Sequence, residues 1–277
     1  MYDDLIFDSH AHYDDEAFDP DRDELLAGMR EKGVGYIVNA SAAMEDMPKI
    51  LELTKQYDFL YGTAGIHPSD VVEMNDDNFS RVSEMLKQDK IVAVGEIGLD
   101  YHYPDTDKPL QQEWFAAQIN LARREGYPIV VHSRDAARDT LDMIKSEKAA
   151  QAGGVIHCFS YEKEMAKIYL DLGFYIGIGG VLTFKNARKL KEIVEYMPLE
   201  RMLLETDCPY LAPVPFRGHR NDSSMLKYVV SAAAELTHRE EEEIIHVTTA
   251  NAKAMYRLDQ SSSFSGTEEI RAEFPDR

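Results

Sequence analysis

Short apolar runs alternate with longer amphipathic segments along most of the chain. Eight runs have the length and composition of buried strands: residues 5–7, 35–40, 59–65, 91–96, 128–132, 154–157, 174–178 and 202–207. Between them, apolar residues recur at helical spacing. Residues 21–32 carry Leu25, Leu26 and Met29 on one face, with Gly33 as a stop. Residues 44–56, 77–88, 110–125, 136–147, 162–172 and 186–196 follow the same pattern. Two more helices are predicted after the eighth strand, over 223–236 and 240–256. Thr237, with Glu240 three residues on, reads as the N-cap of the second. Strands alternating with helices imply a parallel sheet. Eight such units in 277 residues match an α/β (β/α)8 TIM barrel with an extra C-terminal helix. An open doubly wound sheet is the alternative, but no Gly-x-Gly-x-x-Gly follows the first strand. The barrel is expected over residues 1–258. Residues 259–277, with their Ser-Ser-Ser-Phe-Ser-Gly stretch, read as a flexible acidic tail.

Side chains that bind metals sit where these runs end. His10 and His12 are two residues apart after the first run, so extended backbone points both the same way. Alone, such a pair reads equally well as two surface histidines. Glu96 ends the fourth run, His132 the fifth, His157 the sixth and Asp207 the eighth. In a barrel these ends meet at the C-terminal face, where active sites of this fold lie. Six ligands from five strands converging on one pocket point to a metal site, where each residue alone would read as a core histidine or an ion pair.

Composition limits what such a site can serve. A hydrophobic fraction of 44% supports a sizeable core, and no apolar run approaches the ~20 residues of a membrane helix. The opening Met1-Tyr2-Asp3-Asp4 lacks the basic-then-apolar order of a signal peptide. The only cysteines, Cys158 and Cys208, have no disulfide-framework spacing and are expected to be packed thiols. A cytoplasmic protein with no membrane partner is therefore expected. The net charge of -20, from 30 basic and 50 acidic residues, argues against broad binding along a nucleic-acid backbone. It leaves room for a small site where metals and a few arginines hold a phosphate.

The ligands lie in stretches that resemble those of the TatD family of metal-dependent hydrolases, among the amidohydrolase-like barrels. The stretches are Phe7-Asp8-Ser9-His10-Ala11-His12, Gly65-Ile66-His67-Pro68, the run from Gly95-Glu96 to Asp100-Tyr101, Val131-His132-Ser133-Arg134, His157-Cys158-Phe159-Ser160, the run from Gly179 to Asn186, and the run from Leu204-Glu205-Thr206-Asp207 to Pro213. Seven motifs in order make the resemblance specific, and it covers all but the tail.

The resemblance implies two divalent ions (zinc, magnesium, manganese, iron or nickel). His10 and His12 would hold the first, His132 and His157 the second, and Glu96 would bridge them. Asp207 would bind the first ion and position the attacking water, which makes Asp207 and Glu96 the catalytic pair. Imidazole and carboxylate ligands together suit such ions better than calcium. The implied activity is hydrolysis of ester bonds, as a deoxyribonuclease or phosphodiesterase on DNA strand ends or a small phosphoester. Hydrolysis of a carbon–nitrogen or carboxylic ester bond is an alternative, and a non-enzymatic metal-binding role is another.

Further residues are candidates for holding substrate. His67 would contact substrate or leaving group, unless it is a structural histidine before Pro68. Arg134, Lys185 and Arg217 are expected on the same face and suited to phosphate oxygens, with Arg220 nearby; ordinary surface charge is the other reading. Glu205 should share a face with Asp207, either orienting a ligand histidine or forming a core ion pair. Tyr161, His102 and His219 depart from the family's usual residues and are expected to line the pocket mouth, where they bear on substrate preference.

Overall fold

The structure, a computed structural model, describes residues 4–258; the tail expected over 259–277 lies outside the described residues. Eight strands pair in parallel and in chain order: β1 (Ile6–Ala11), β2 (Val34–Asn39), β3 (Leu60–Ala64), β4 (Ile91–Asp100), β5 (Ile129–Arg134), β6 (Gly154–Ile156), β7 (Tyr175–Ile178) and β8 (Met202–Leu204). A helix follows each: α1 (Arg22–Ala27), α2 (Met47–Gln56), α3 (Asp76–Met85), α4 (Lys108–Glu125), α5 (Ala137–Ser146), α6 (Lys163–Asp171), α7 (Arg188–Tyr196) and α8 (Leu226–Thr237). The extra helix is α9 (Glu241–Met255). This is the (β/α)8 barrel that the alternation predicts. β1 and the chain around β8 close the ring: Ser9 Oγ donates to the Leu204 carbonyl, Asp207 N to that of His10 and His12 N to that of Cys208, each at 2.9 Å.

Two packing layers hold the barrel. Phe7, Val38, Ala93, Val130, Val155 and Leu203 come from six different strands yet form one buried cluster, which only the inside of a ring allows. The end of α9 closes this cluster with Ala252, Met255 and Tyr256. The Tyr256 ring lies 6.0 Å from Phe7, and its hydroxyl donates to the Ser9 carbonyl at 2.7 Å. Asn251 Nδ2 ties the same helix to the carbonyls of Leu199 and Met202 at 2.7 and 2.9 Å. Outside, each helix buries one stripe on the sheet, as α7 does with Leu190, Ile193 and Val194. Each such side chain contributes roughly 1.5–3 kcal/mol when fully buried.

Several element ends differ from the predicted ones. β1, β4 and β5 run past their apolar runs to Ala11, Asp100 and Arg134, because β2 pairs with β1 up to Ala11 and the ends of β4 and β5 pair with each other, holding backbone that the local sequence leaves polar. α1 stops before Gly28, a weak helix former, and not at Gly33. Thr237 is not an N-cap: it ends α8 and its hydroxyl donates back to the Ala233 carbonyl at 2.7 Å. Glu240 caps α9 without a side-chain bond, so the charge of Glu241–Glu243 near the helix dipole takes that place.

Candidate metal centre

The site is built at two irregularities of the sheet and one strained residue. The β1–β2 register shifts between Asp8 and Ala11, and the β4–β5 register shifts between Val94 and Ile97. Shifts of this kind re-aim side chains beside active sites, and here they flank His10 and Glu96. Asp207 lies three residues beyond β8 with φ +59, left-handed backbone that a non-glycine residue adopts at a cost of ~1–3 kcal/mol. The His10 carbonyl holds it there by accepting its N–H.

Four donor atoms surround one point. His10 Nε2 lies 3.1 Å from His12 Nε2, 3.2 Å from Glu96 Oε2 and 3.7 Å from Asp207 Oδ1. His12 Nε2 lies 3.7 Å from Glu96 Oε2 and 3.4 Å from Asp207 Oδ1. These separations bracket ~3.4 Å, the edge of a tetrahedron whose corners lie ~2.1 Å from its centre, a usual distance for imidazole and carboxylate ligands on zinc. The other oxygen of Glu96 serves a second set. Glu96 Oε1 lies 2.8 Å from His132 Nδ1 and 2.9 Å from His157 Nε2. One carboxylate thus divides its oxygens between two ligand groups, and all six candidate ligands come together. His10, Glu96 and His157 are almost wholly buried.

The carboxylates and imidazoles of the cluster shift one another's titration. Burial opposes ionisation of Glu96, but the imidazoles of His157 and His10 outweigh it and hold this carboxyl well below the ordinary range. Asp207 is likewise held low, against burial, by the hydrogen bond from His12 and the charge of His157. Burial also works against charge on His12, yet Asp207 and Glu96 raise it to about 9. His157 is raised well above its usual value by Glu96 and Glu205 in the same way. Imidazole nitrogens and carboxylate oxygens with no thiolate fit zinc, manganese, iron, nickel or magnesium.

Supporting residues fix the ligands. Glu205 Oε1 accepts from Cys158 N at 2.5 Å and lies 3.6 Å from His157 Nδ1. A carboxylate behind a ligand histidine orients its ring. His157 Nδ1 and Glu205 Oε2 are both buried and make no hydrogen bond. Asp8, fully buried, accepts from Thr206 N and Oγ1 at 3.0 and 2.7 Å and from Ser223 Oγ at 2.6 Å. It thereby ties the strand bearing His10 to the segment bearing Asp207. Asp100 is a site residue that sequence reasoning left without a role: its Oδ2 lies 3.3 Å from His132 Nε2. Its spacing of four from Glu96 puts both on one face of an extended strand, the signal that could have found it.

The substrate-side candidates separate. His67 joins the cluster, with Nε2 3.7 Å from Glu96 Oε1 and its ring 4.3 Å from that of His132. Burial, then the charge of His132, lowers it to about 3, so it is neutral at physiological pH. Ser69 N donates to His67 Nδ1 at 3.1 Å, leaving the proton on Nε2, toward the site. Arg134 is exposed on the wall of the main cleft, a cavity of about 1170 Å³. Lys185 and Arg217 lie outside the walls of this cleft; the Arg217 guanidinium stacks on Phe184, 4.4 Å from the ring centroid. The Arg220 fork is taken by Asp21 at 2.6 and 2.7 Å. Tyr161, His102 and His219 do not line the cleft. The Tyr161 hydroxyl meets Ser133 Oγ at 2.8 Å, and His102 Nδ1 pairs with Asp135 at 2.9 Å. Burial holds the Cys158 and Cys208 thiols well above their usual range, so both are protonated packing groups.

The sequence model of the family described as TatD related DNase matches residues 7–257. The chain belongs to the TatD related DNase family. Its relatives include the uncharacterized metal-dependent hydrolase YabD of Bacillus subtilis, 40% identical over 255 residues, which span 92% of this chain and all of that protein. The uncharacterized metal-dependent hydrolase YcfH of Escherichia coli is 37% identical over 261 residues, 93% of this chain and 97% of that protein. The crystal structure of YjjV, a TatD homologue from Escherichia coli K12, superposes with a TM-score of 0.87 at 30% identity, covering 93% of this chain and 99% of that one. This TatD family member is a metal-dependent hydrolase. No helix among the described residues is long and apolar enough to cross a membrane.

Proposed function

We propose that the protein hydrolyses phosphodiester bonds at the ends of single-stranded DNA, with two divalent ions in the cluster. The observation that carries this reading is Glu96, whose two oxygens face two separate ligand sets 2.8–3.7 Å away. His10, His12 and Asp207 complete the first position, and His132 and His157 the second. Two bound ions supply charge neutralisation at the phosphoryl oxygens and a more acidic water.

The chain's own groups do the rest. Asp207, kept ionised, accepts a proton from the attacking water as the new P–O bond forms. The His10 carbonyl anchors the backbone that carries this carboxylate, and His12 Nε2 lies 3.4 Å from its Oδ1. Neutral His67 presents Nε2–H to a phosphoryl or leaving oxygen. Arg134, on the cleft wall, grips a further phosphate oxygen. The P–O bond to the leaving group breaks, and that oxygen takes a proton from solvent reached through the open cleft.

A second reading, hydrolysis of a small phosphoester or carboxylic ester, draws support from the acidic side of the cleft, where Asp14, Asp15, Glu16, Glu45, Asp46 and Asp70 disfavour a long polyanion. A panel of linear and circular single-stranded DNA, a phosphomonoester, a lactone and an amide separates the two. The strand-end reading expects turnover on linear single-stranded DNA with circular DNA spared. Circular DNA cut as fast as linear DNA, or turnover on the lactone or amide alone, rules it out.

A further inference from the structure

His132 faces two carboxylates, one with each ring nitrogen. Nδ1 lies 2.8 Å from Glu96 Oε1, toward the position it shares with His157, and Nε2 lies 3.3 Å from Asp100 Oδ2. A neutral imidazole carries one proton, so the nitrogen that binds a metal must be the other one. Ligation through Nδ1 therefore needs the proton on Nε2, where Asp100 accepts it. The opposite tautomer sets the Nε2 lone pair against the Asp100 carboxylate and closes Nδ1 to an ion.

Asp100 is held in place from several sides. It is buried, and its other oxygen, Oδ1, accepts from His102 N at 2.9 Å. Its own N–H donates to Gln111 Oε1 at 2.9 Å, and Gln111 Nε2 donates to the Pro68 carbonyl at 3.0 Å. Gln111 is itself buried, on α4. On the strand side, Gly98 pairs with His132 in the β4–β5 register. Its φ is +149, and a Cβ there would strike the His132 carbonyl, so glycine lets the two strands run this close.

The same geometry argues against a third ion beside the cluster. His67, Asp100 and His132 have donor atoms within 4.8 Å of one another. Ser69 N fills His67 Nδ1, which leaves a proton on His67 Nε2, and His132 Nε2 carries one too. Neither imidazole has a lone pair to offer there, so Asp100 stands as an acceptor and not as a ligand.

We propose that Asp100 is a positioning residue for the second metal position: it holds His132 in the tautomer whose Nδ1 binds the ion. The inference rests on the two-position reading of the cluster. The first position does without this carboxylate, because His12 Nδ1 donates to the Ala40 carbonyl at 3.1 Å.

The test measures zinc affinity by competition with a chelator in two backgrounds. In His10→Ala, His12→Ala protein the ion is left to Glu96, His132 and His157. Asp100→Ala should weaken its binding there by ~10–100-fold. In His132→Ala protein the ion is left to His10, His12, Glu96 and Asp207. The same change should leave that affinity within about twofold, as for independent sites. Should Asp100→Ala lose its cooperative thermal transition, Asp100→Asn takes its place with the same expectation, since it keeps the size but offers one acceptor oxygen to two donors. Unchanged affinity in the first background, or equal losses in both, overturns the proposal. So does ligation of His132 through Nε2 in nitrogen-15 spectra of the zinc-loaded wild-type protein. A His10→Ala, His12→Ala protein that takes up no zinc while Asp100 is intact overturns the two-position reading itself, a different outcome from an unchanged affinity.

Discussion

Asp207 separates ligation from chemistry at the scale of single residues. Asp207→Asn keeps an oxygen near His10 and His12 but removes the proton acceptor. Turnover should fall by ~10²–10⁴-fold with metal content largely kept, which kinetics and elemental analysis on one preparation will check. A near-wild-type rate would remove Asp207 from the proton step. Gly177 offers a less obvious test. A Cβ there would collide with the Glu205 carboxylate, the group behind His157. Gly177→Ala should therefore weaken metal binding by ~10–100-fold, read by competition with a chelator, while the thermal transition stays cooperative. Unchanged affinity would make Glu205 a packing residue only. The six candidate ligands that the fold brings together were legible as a set, because each closes an apolar run and the runs repeat. Asp100 received no role, because its partner His132 lies on the next strand and only the strand pairing brings the two together. Nor was the fate of Arg217, whose stacking on Phe184 is a contact between separate loops.

At the scale of elements, the seam between β1 and β8 sets the site. Asp8 accepts four hydrogen bonds there, from the backbone N–H groups of His10 and Thr206 and the hydroxyls of Thr206 and Ser223. Asp8→Ala leaves those buried donors unmatched. It should cost about 2–4 kcal/mol of stability, seen as a lower urea midpoint with an unchanged slope. A loss below about 1 kcal/mol would mean that the seam is held elsewhere. The order of strands and helices could be read from periodicity because each helix keeps one apolar stripe and each strand a short apolar run. Element ends could not. β4 reaches Asp100 because β5 pairs with it up to Arg134, and α1 ends early at Gly28. Thr237 had the pattern of a cap but closes the preceding helix, so the same signature served a different end.

The whole molecule is strongly acidic, and the cleft repeats that charge on one side only. A strand that touches the protein through one end neutralises few phosphates. The salt slope of binding should then be shallow, at ~0.7 per contact for a single strand with two or three contacts. A slope that calls for six or more contacts would contradict an end-on grip. The central claim is a centre of two ions divided by Glu96, and counting ions tests it most directly. Metal-replete wild-type protein should hold close to two divalent ions per chain by elemental analysis. The His10→Ala, His12→Ala double variant should hold close to one, retained by His132, His157 and Glu96. Wild-type protein that saturates at one ion, or a double variant that keeps both, would contradict the account.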